Sequence, residues 1–350
     1  MNPTSSSSVC FVAGRSGGHI VPCLTMAHQI KQEHPDIKII FFSTHTPLDI
    51  TILQNSSDIK NHIPLPIDPV PSYRKPLHLM RWLYSMVQAW ITSFKILKAH
   101  KPYKIITTGG YCAIPVCLAG WMLNIPVELH QLDVIPGKAI KAIAPIATTI
   151  YIYFKQTQAA FANPTNIANY PVRFNATSKT ITATNARRAV GLEPALPTVL
   201  VLGGSQGSQF LNTLVALWVQ QHITQGDTVQ VIHQTGAQEV NIYKSFYSDL
   251  GVRAWVFDYH HALEYAYQAA DIVICRSGAG SLFETIFFNK PCITIPLISK
   301  STAHQVDNAY ALAQTYPHLI HVLDQAVVEK QSEIFKNRIE LLLKSINITI

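Results

Sequence analysis

Four short stretches hold residues able to do chemistry, and each follows an apolar run. They are Gly14-Arg-Ser-Gly-Gly-His19, Gly109-Gly-Tyr111 with Pro115 behind it, Gly203-Gly-Ser-Gln-Gly207, and Cys275-Arg-Ser-Gly-Ala-Gly-Ser-Leu-Phe-Glu284. Glycines after a strand let backbone N–H groups approach an anion at a helix N-terminus, where the helix dipole adds to the attraction. The first of them lacks the GxGxxG dinucleotide spacing. His19 opens a helix with a ring that titrates near neutral pH, which makes it the candidate general base; the plainer alternative is a tight turn with a capping histidine. The 109–111 loop suits a phosphate or sugar contact, and equally an ordinary strand-to-helix turn. The 203–207 loop suits a pyrophosphate. Arg276 with Ser277-Gly278 forms an anion-friendly turn. Glu284, two turns into the next helix, is spaced to grip ribose hydroxyls with both oxygens, or else is a solvated helix carboxylate. His304-Gln305 and Asn308-Ala309 begin a later helix after Pro296.

The elements that must position these residues alternate between strand and helix. Strands are expected at residues 9–13, 38–43, 104–108 and 126–130, with a helix over 20–32; this order argues for a parallel sheet with right-handed crossovers. Residues 175–197, rich in Thr, Ala, Asn and Pro, read as a linker with a short helix at 185–190. The pattern then restarts with strands at 197–202, 229–233, 254–257, 272–275 and 292–296, and a helix from 209. Two openings of the strand, glycine-loop, helix kind predict an α/β protein of two Rossmann-like doubly wound domains, 1–173 and 185–329, facing across a cleft. Ligands are expected beyond the carboxyl ends of the strands. A closing helix over 330–350 is expected to pack back on the first domain.

Composition bounds the partners. At 350 residues the chain suits two domains, and 48% hydrophobic with 13% charged residues excludes a disordered chain. Residues 1–173 hold 15 Lys/Arg against 7 Asp/Glu, whereas residues 174–350 hold 12 against 13. No acid lies between Asp68 and Glu128, where Arg74, Lys75, Arg81, Lys95, Lys98, Lys101 and Lys104 all occur. The front half therefore faces something anionic. Within 71–104, Leu77, Leu79, Met80, Trp82, Leu83, Trp90 and Phe94 stand among these bases, as an interfacial helix on anionic headgroups requires; a buried helix with a basic outer face is the alternative. Mean hydropathy of +0.17 also hints at a membrane surface. The uncharged run 105–127 is long enough to span a bilayer, but Gly109-Gly110, Pro115, Asn124 and Pro126 break it into strand, loop, helix and turn. No basic n-region or cleavage site marks the start as a secretory signal. The six cysteines have no CxxC or zinc spacing and read as reduced, buried small residues, so no metal and no cofactor is expected. No nucleic-acid module accompanies the basic stripe.

Taken in order over about residues 9–310, the motifs resemble the GT-B-fold MurG family of peptidoglycan-synthesis N-acetylglucosaminyltransferases. The matching segments are Gly17-Gly-His19, Gly109-Gly-Tyr111, Tyr170-Pro-Val-Arg173, Gly203-Gly-Ser-Gln-Gly207, His233-Gln-Thr-Gly236, Cys275-Arg-Ser-Gly-Ala279 with Glu284, and His304-Gln305 with Asn308-Ala309. The resemblance implies transfer of N-acetylglucosamine from UDP-GlcNAc to undecaprenyl-linked lipid I, giving lipid II for the cell wall, cell shape and cell division. It implies that Gly17, Gly18, Gly110, Tyr111 and Asp133 meet the acceptor. It places Arg173, Ser205, Gln206, Arg276, Glu284, His304 and Gln305 around the donor, and Trp121 beside an apolar membrane patch. Implied partners are UDP-GlcNAc, lipid I, an anionic membrane surface and other cell-wall synthesis proteins, with a peripheral location on the cytoplasmic face of the bacterial inner membrane. Two segments depart from the family pattern. Arg15-Ser16 stands where the family has Gly-Thr, and His130-Gln-Leu-Asp133 where it has His-Glu-Gln-Asn.

The expected reaction is an inverting single displacement, with UDP leaving and His19 taking the acceptor proton. Alternatives are a glycosyltransferase of this fold with another lipid acceptor, such as a glycolipid synthase, a sugar-nucleotide epimerase, or a non-catalytic UDP-sugar-binding relative.

Overall fold

The computed structural model describes residues 8–14, 17–54, 56, 58–68, 71, 76–204, 207–260, 262–298 and 304–347. Arg15, Ser16, Arg74, Lys75, Ser205 and Gln206, singled out above, lie outside them. The chain divides into two compact units, Met1–Arg173 and Phe174–Ile350.

The first unit opens with β1 (Ser8–Val12), α1 (Gly17–Glu33), β2 (Lys38–Thr44), α2 (Pro47–Gln54), β3 (Asn61–Leu65) and α3 (Pro76–His100). It continues with β4 (Ile105–Thr107), α4 (Ala113–Met122), β5 (Val127–Gln131), α5 (Lys138–Ile143), β6 (Thr149–Ile152) and β7 (Asn166–Ile167). All seven strands run parallel in the order β3-β2-β1-β4-β5-β6-β7. Parallel strands are covered on both faces, which is why their sequences are unbroken apolar runs. In β1 the faces separate by residue: Val9 and Phe11 pack with Ile20, Cys23, Met26 and Ala27 of α1, while Cys10 and Val12 pack with Ala89, Leu97, Val116 and Cys117 of α3 and α4. Each such fully buried aliphatic or aromatic side chain contributes about 1.5–3 kcal/mol. The 105–127 run resolves into β4, the ten-residue α4 and the start of β5. Among the described residues no helix is long and apolar enough to cross a membrane.

The second unit contains α6 (Ala183–Ala189), β8 (Thr198–Leu202), α7 (Gln209–Thr224), β9 (Gln230–Gln234), α8 (Val240–Asp249), β10 (Ala254–Phe257) and α9 (Leu263–Ala269). After these come β11 (Ile272–Cys275), α10 (Ala279–Phe287), β12 (Cys292–Thr294), α11 (His304–Thr315), β13 (Ile320–Val322), α12 (Gln325–Lys330) and α13 (Glu333–Asn347). Its six strands are again parallel, in the order β10-β9-β8-β11-β12-β13.

Two expectations about boundaries are corrected. The closing helix, α13, places Phe335, Ile339, Leu342 and Leu343 in the second unit's own core beside Val199, Val201 and Trp218, so its apolar stripe is covered there. The stretch read as linker also belongs to the second unit from its first residue. Phe174 packs edge-on to Tyr267, Gln268 Nε2 donates to the Ser178 carbonyl at 2.9 Å, and Lys179 lies over the Phe287 ring. Proline and threonine content signalled irregular backbone, and irregular backbone need not be unpacked.

Candidate active site

In each sheet the chain winds outward from one strand and then returns to its other side. The switch lies between β1 and β4 in the first unit and between β8 and β11 in the second. Loops at these points diverge, leaving a crevice outside the strand ends. All four glycine-containing stretches leave these four strands.

At the first switch point the loops after β1 and β4 touch. Gly110 has φ +88°, and a Cβ there would stand 3.2 Å from the Gly14 carbonyl oxygen, so both the backbone angle and the approach favour glycine. The start of α1 is tied to the end of β4 through His19 and Thr108. His19, half-buried in the first turn, is clasped twice. Its Nδ1 donates to the Thr108 carbonyl at 3.0 Å, and the Thr108 hydroxyl donates to the His19 carbonyl at 2.9 Å. A carbonyl can only accept, so Nδ1 carries the proton and the neutral ring keeps its lone pair on Nε2. Asp133 follows β5 at the same end of the sheet, half-buried, with its carbonyl accepting from Gln131 Nε2 at 2.6 Å and from the Thr157 hydroxyl.

His130, at the end of β5, is buried against Tyr151 and Tyr153 and hydrogen-bonds the Tyr153 hydroxyl at 2.6 Å. Burial, with a smaller effect from Lys104, pushes its pKa down to about 3, so the ring is neutral at working pH.

At the second switch point Gly207 has φ +75°, and a Cβ there would lie 2.1 Å from the Thr235 carbonyl oxygen, so the loop after β8 sits directly on the turn after β9. Ser208 caps α7. Arg276, buried just past β11, ties the site together. Its Nε donates to Ser208 Oγ at 3.0 Å, and its Nη1 donates to the Ile295 carbonyl at 3.1 Å and to Gln325 Oε1 at 2.9 Å. Burial lowers its pKa, though a guanidinium keeps its charge throughout the working range. Two of its nitrogens thus brace the α7 cap against the end of β12 and the start of α12.

Glu284 is no solvated carboxylate. It is 5% exposed and accepts from the Tyr267 hydroxyl at 3.0 Å. Gln305 Oε1, at the start of α11, accepts from the Leu297 N–H at 3.2 Å, and half-buried His304 precedes it. Asn308 Nδ2 donates to the Ser277 carbonyl at 3.4 Å, linking α11 to the Arg276 turn. Arg173 is the last residue of the first unit and half-buried. His233, by contrast, is core structure: its Nε2 meets Asn212 Oδ1 at 3.0 Å, its Nδ1 meets the Tyr247 hydroxyl at 2.9 Å, and burial pushes its pKa down to about 3.

Thr108, Ser208, Tyr267 and Gln325 were missed from sequence. Ser208 had a readable signal, a serine directly before a helix start; the other three had none. Two hollows of about 240 and 560 Å³, around Trp121 and around Trp255 with His260, hold none of the donor or acceptor residues expected from sequence.

Both switch points carry glycines between a strand end and a helix start. Residues 9–152 match the glycosyltransferase family 28 N-terminal domain, and residues 198–344 match the glycosyltransferase family 28 C-terminal domain. The chain is 27% identical over 328 residues to the UDP-N-acetylglucosamine--N-acetylmuramyl-(pentapeptide) pyrophosphoryl-undecaprenol N-acetylglucosamine transferase of Myxococcus xanthus, covering 93% of this chain and 82% of that protein. It is 28% identical over 351 residues to the protein of the same description from Protochlamydia amoebophila, covering 99% and 88%. The crystal structure of Acinetobacter baumannii MurG shares the fold, with a TM-score of 0.72 at 21% identity over 96% of this chain and 90% of that one. With the two domains of one family matched in order along most of its length, the chain belongs to glycosyltransferase family 28.

Proposed function

We infer that this chain transfers N-acetylglucosamine from UDP-GlcNAc to lipid I, the undecaprenyl-pyrophosphoryl N-acetylmuramyl pentapeptide, giving lipid II in peptidoglycan synthesis. The observation that carries this reading is the match, over nearly the whole chain, to transferases described by that reaction. The second unit takes the nucleotide sugar: the 203–207 loop and the α7 N-terminus face the diphosphate, Arg276 fixes that loop and adds positive charge, and Glu284 holds the ribose. Ser205, Gln206, His304, Gln305 and Arg173 complete the donor contacts. The first unit takes the lipid diphosphate at Gly17, Gly18, Gly110 and Tyr111, with Asp133 beside them.

In the reaction the acceptor hydroxyl oxygen bonds to C1 of the sugar as the bond from C1 to the UDP oxygen breaks, inverting C1. His19 Nε2 takes the hydroxyl proton, a role for which its Nδ1 clasp sets the tautomer. Charge growing on the leaving diphosphate is met by fixed N–H dipoles and Arg276. The transition state has oxocarbenium character, as in other glycosyl transfers.

Membrane docking uses α3 and α4. Leu77, Met80, Leu83, Tyr84 and Val87 on α3 and Trp121 and Met122 on α4 are all at least half exposed. Arg81, Lys95 and Lys98 on α3 and Lys138 and Lys141 on α5 are exposed as well. Apolar and basic groups together bind an anionic leaflet peripherally, on the cytoplasmic face where UDP-GlcNAc is present.

The deciding experiment measures UDP release from UDP-GlcNAc with lipid I, with other undecaprenyl or glycolipid acceptors, and with none. Release that requires lipid I is expected. Equal release without acceptor, or turnover only with a different lipid, overturns the assignment.

A further inference from the structure

We propose that Tyr267 is a positioning residue that sets ribose recognition by aiming the Glu284 carboxylate. The proposal rests on the reading of Glu284 as the ribose ligand and adds what holds it in place. Glu284 is nine-tenths buried, and a buried carboxylate is tolerable only where hydrogen-bond donors meet it. One donor is the Tyr267 hydroxyl, 3.0 Å from Oε2 and carried on α9, 17 residues away in sequence. Tyr267 is itself fully buried, and its ring cannot swing. Phe288, at the end of α10, stacks on it at 5.0 Å with the planes 10° apart, and Phe174 meets it edge-on at 5.7 Å. Phe174 and Phe288 also pack on each other at 4.8 Å.

The chemistry follows from the donor inventory. A carboxylate offers about four acceptor positions, and one phenol occupies one of them. A neutral O–H orients the group without cancelling its charge, and as the ribose ligand the carboxylate accepts from the two ribose hydroxyls. Tyr267 touches no nucleotide; it acts through Glu284 by restricting the carboxylate to one rotation. The ligand class it favours is a ribonucleoside diphosphate over its 2′-deoxy counterpart.

The test is binding of UDP and of 2′-deoxy-UDP to the full chain by calorimetry. Wild type is expected to prefer UDP. Tyr267→Phe removes one oxygen and leaves the ring stack, and is expected to weaken UDP roughly three- to tenfold while changing 2′-deoxy-UDP less than about twofold. Phe174→Leu keeps the hydroxyl but loosens the ring, and is expected to lower the preference about two- to threefold, which provides a second reading if Tyr267→Phe folds poorly. In a Glu284→Gln background Tyr267→Phe is expected to have no further effect on the ratio. If Tyr267→Phe weakens both nucleotides alike, or leaves the wild-type ratio intact, Tyr267 is only a packing residue and the proposal falls. If wild type does not discriminate and Glu284→Gln binds UDP normally, the fault lies earlier, in the assignment of Glu284 to ribose.

Discussion

The two switch points hold different kinds of group by different means. In the first unit the side chain proposed to take the proton is a ring, His19, and the backbone carbonyl of Thr108 sets its tautomer. In the second unit the groups proposed to hold the donor are a guanidinium and a carboxylate. Arg276 is braced by acceptors from the α7 cap, the strand end after β12 and α12, and Glu284 is backed by a buried phenol. A group that must gain and lose a proton near pH 7 needs a defined tautomer and a polar setting. A group that stabilises charge by staying still needs rigid bracing, because electrostatic preorganisation acts only if nothing has to reorganise. The contrast suits a proton-accepting wall in one unit and a diphosphate-holding wall in the other.

The largest expected effect tests the first half of this contrast. His19→Ala should lower turnover by about 10²–10⁴-fold while UDP affinity changes little, measured by UDP release and by calorimetry on the same preparation. Unchanged turnover in a folded variant would remove His19 from the proton transfer. Next in size is the backbone of the anion loop. Gly207→Ala drives a methyl into the Thr235 carbonyl and should cost roughly 2–4 kcal/mol of stability along with UDP binding, whereas Gly204→Ala meets open space and should cost only the strain of its positive φ, about 1 kcal/mol. Similar melting temperatures for the two would mean the loop is not held against the turn after β9. Arg276→Lys keeps the charge but loses the planar fork, and should raise KM for UDP-GlcNAc about tenfold with a smaller change in kcat. A wild-type KM would reduce Arg276 to its charge alone.

The smallest effect uses a feature the units share. Each ends a strand in a buried histidine tied to a tyrosine hydroxyl, His130 in β5 and His233 in β9, and both rings have pKa values near 3. The unfolded chain takes up protons on these rings below about pH 6.5, while the folded chain does not until near pH 3. Stability present above pH 6.5 is therefore lost as pH falls, by about 1 kcal/mol per ring between pH 7 and 5.5. Urea midpoints at the two pH values should fall accordingly; a flat response would mean that the folded chain protonates them.

The glycine loops were legible because the signal is local. An apolar run followed by glycines and a helix start specifies a strand, a left-handed or tight backbone and an N-terminus within about ten residues, and backbone sterics act at that range. Parallel topology followed, since alternating elements leave few right-handed arrangements. The roles within the site were less legible. The turn around Arg276 shows a cation beside glycine but not the groups that hold it, since Ser208 and Gln325 lie 68 and 49 residues away. Glu284 could equally have been a solvent-facing carboxylate, since nothing in its own helix indicates Tyr267. The stripe of α13 showed that it must be covered, but an amphipathic helix does not specify which core covers it.

By itself, then, the sequence determined the elements, their parallel pairing and where the glycine turns fall, because φ preferences and apolar periodicity operate over a few residues. Tertiary structure alone decided that α13 closes the second unit, that Thr108 clasps His19 from 89 positions away, and which side chains hold Arg276 and Glu284. Those outcomes depend on hydrogen bonds and packing between segments remote in sequence. Burial makes each such partner obligatory, and only the folded chain reveals which partner it is.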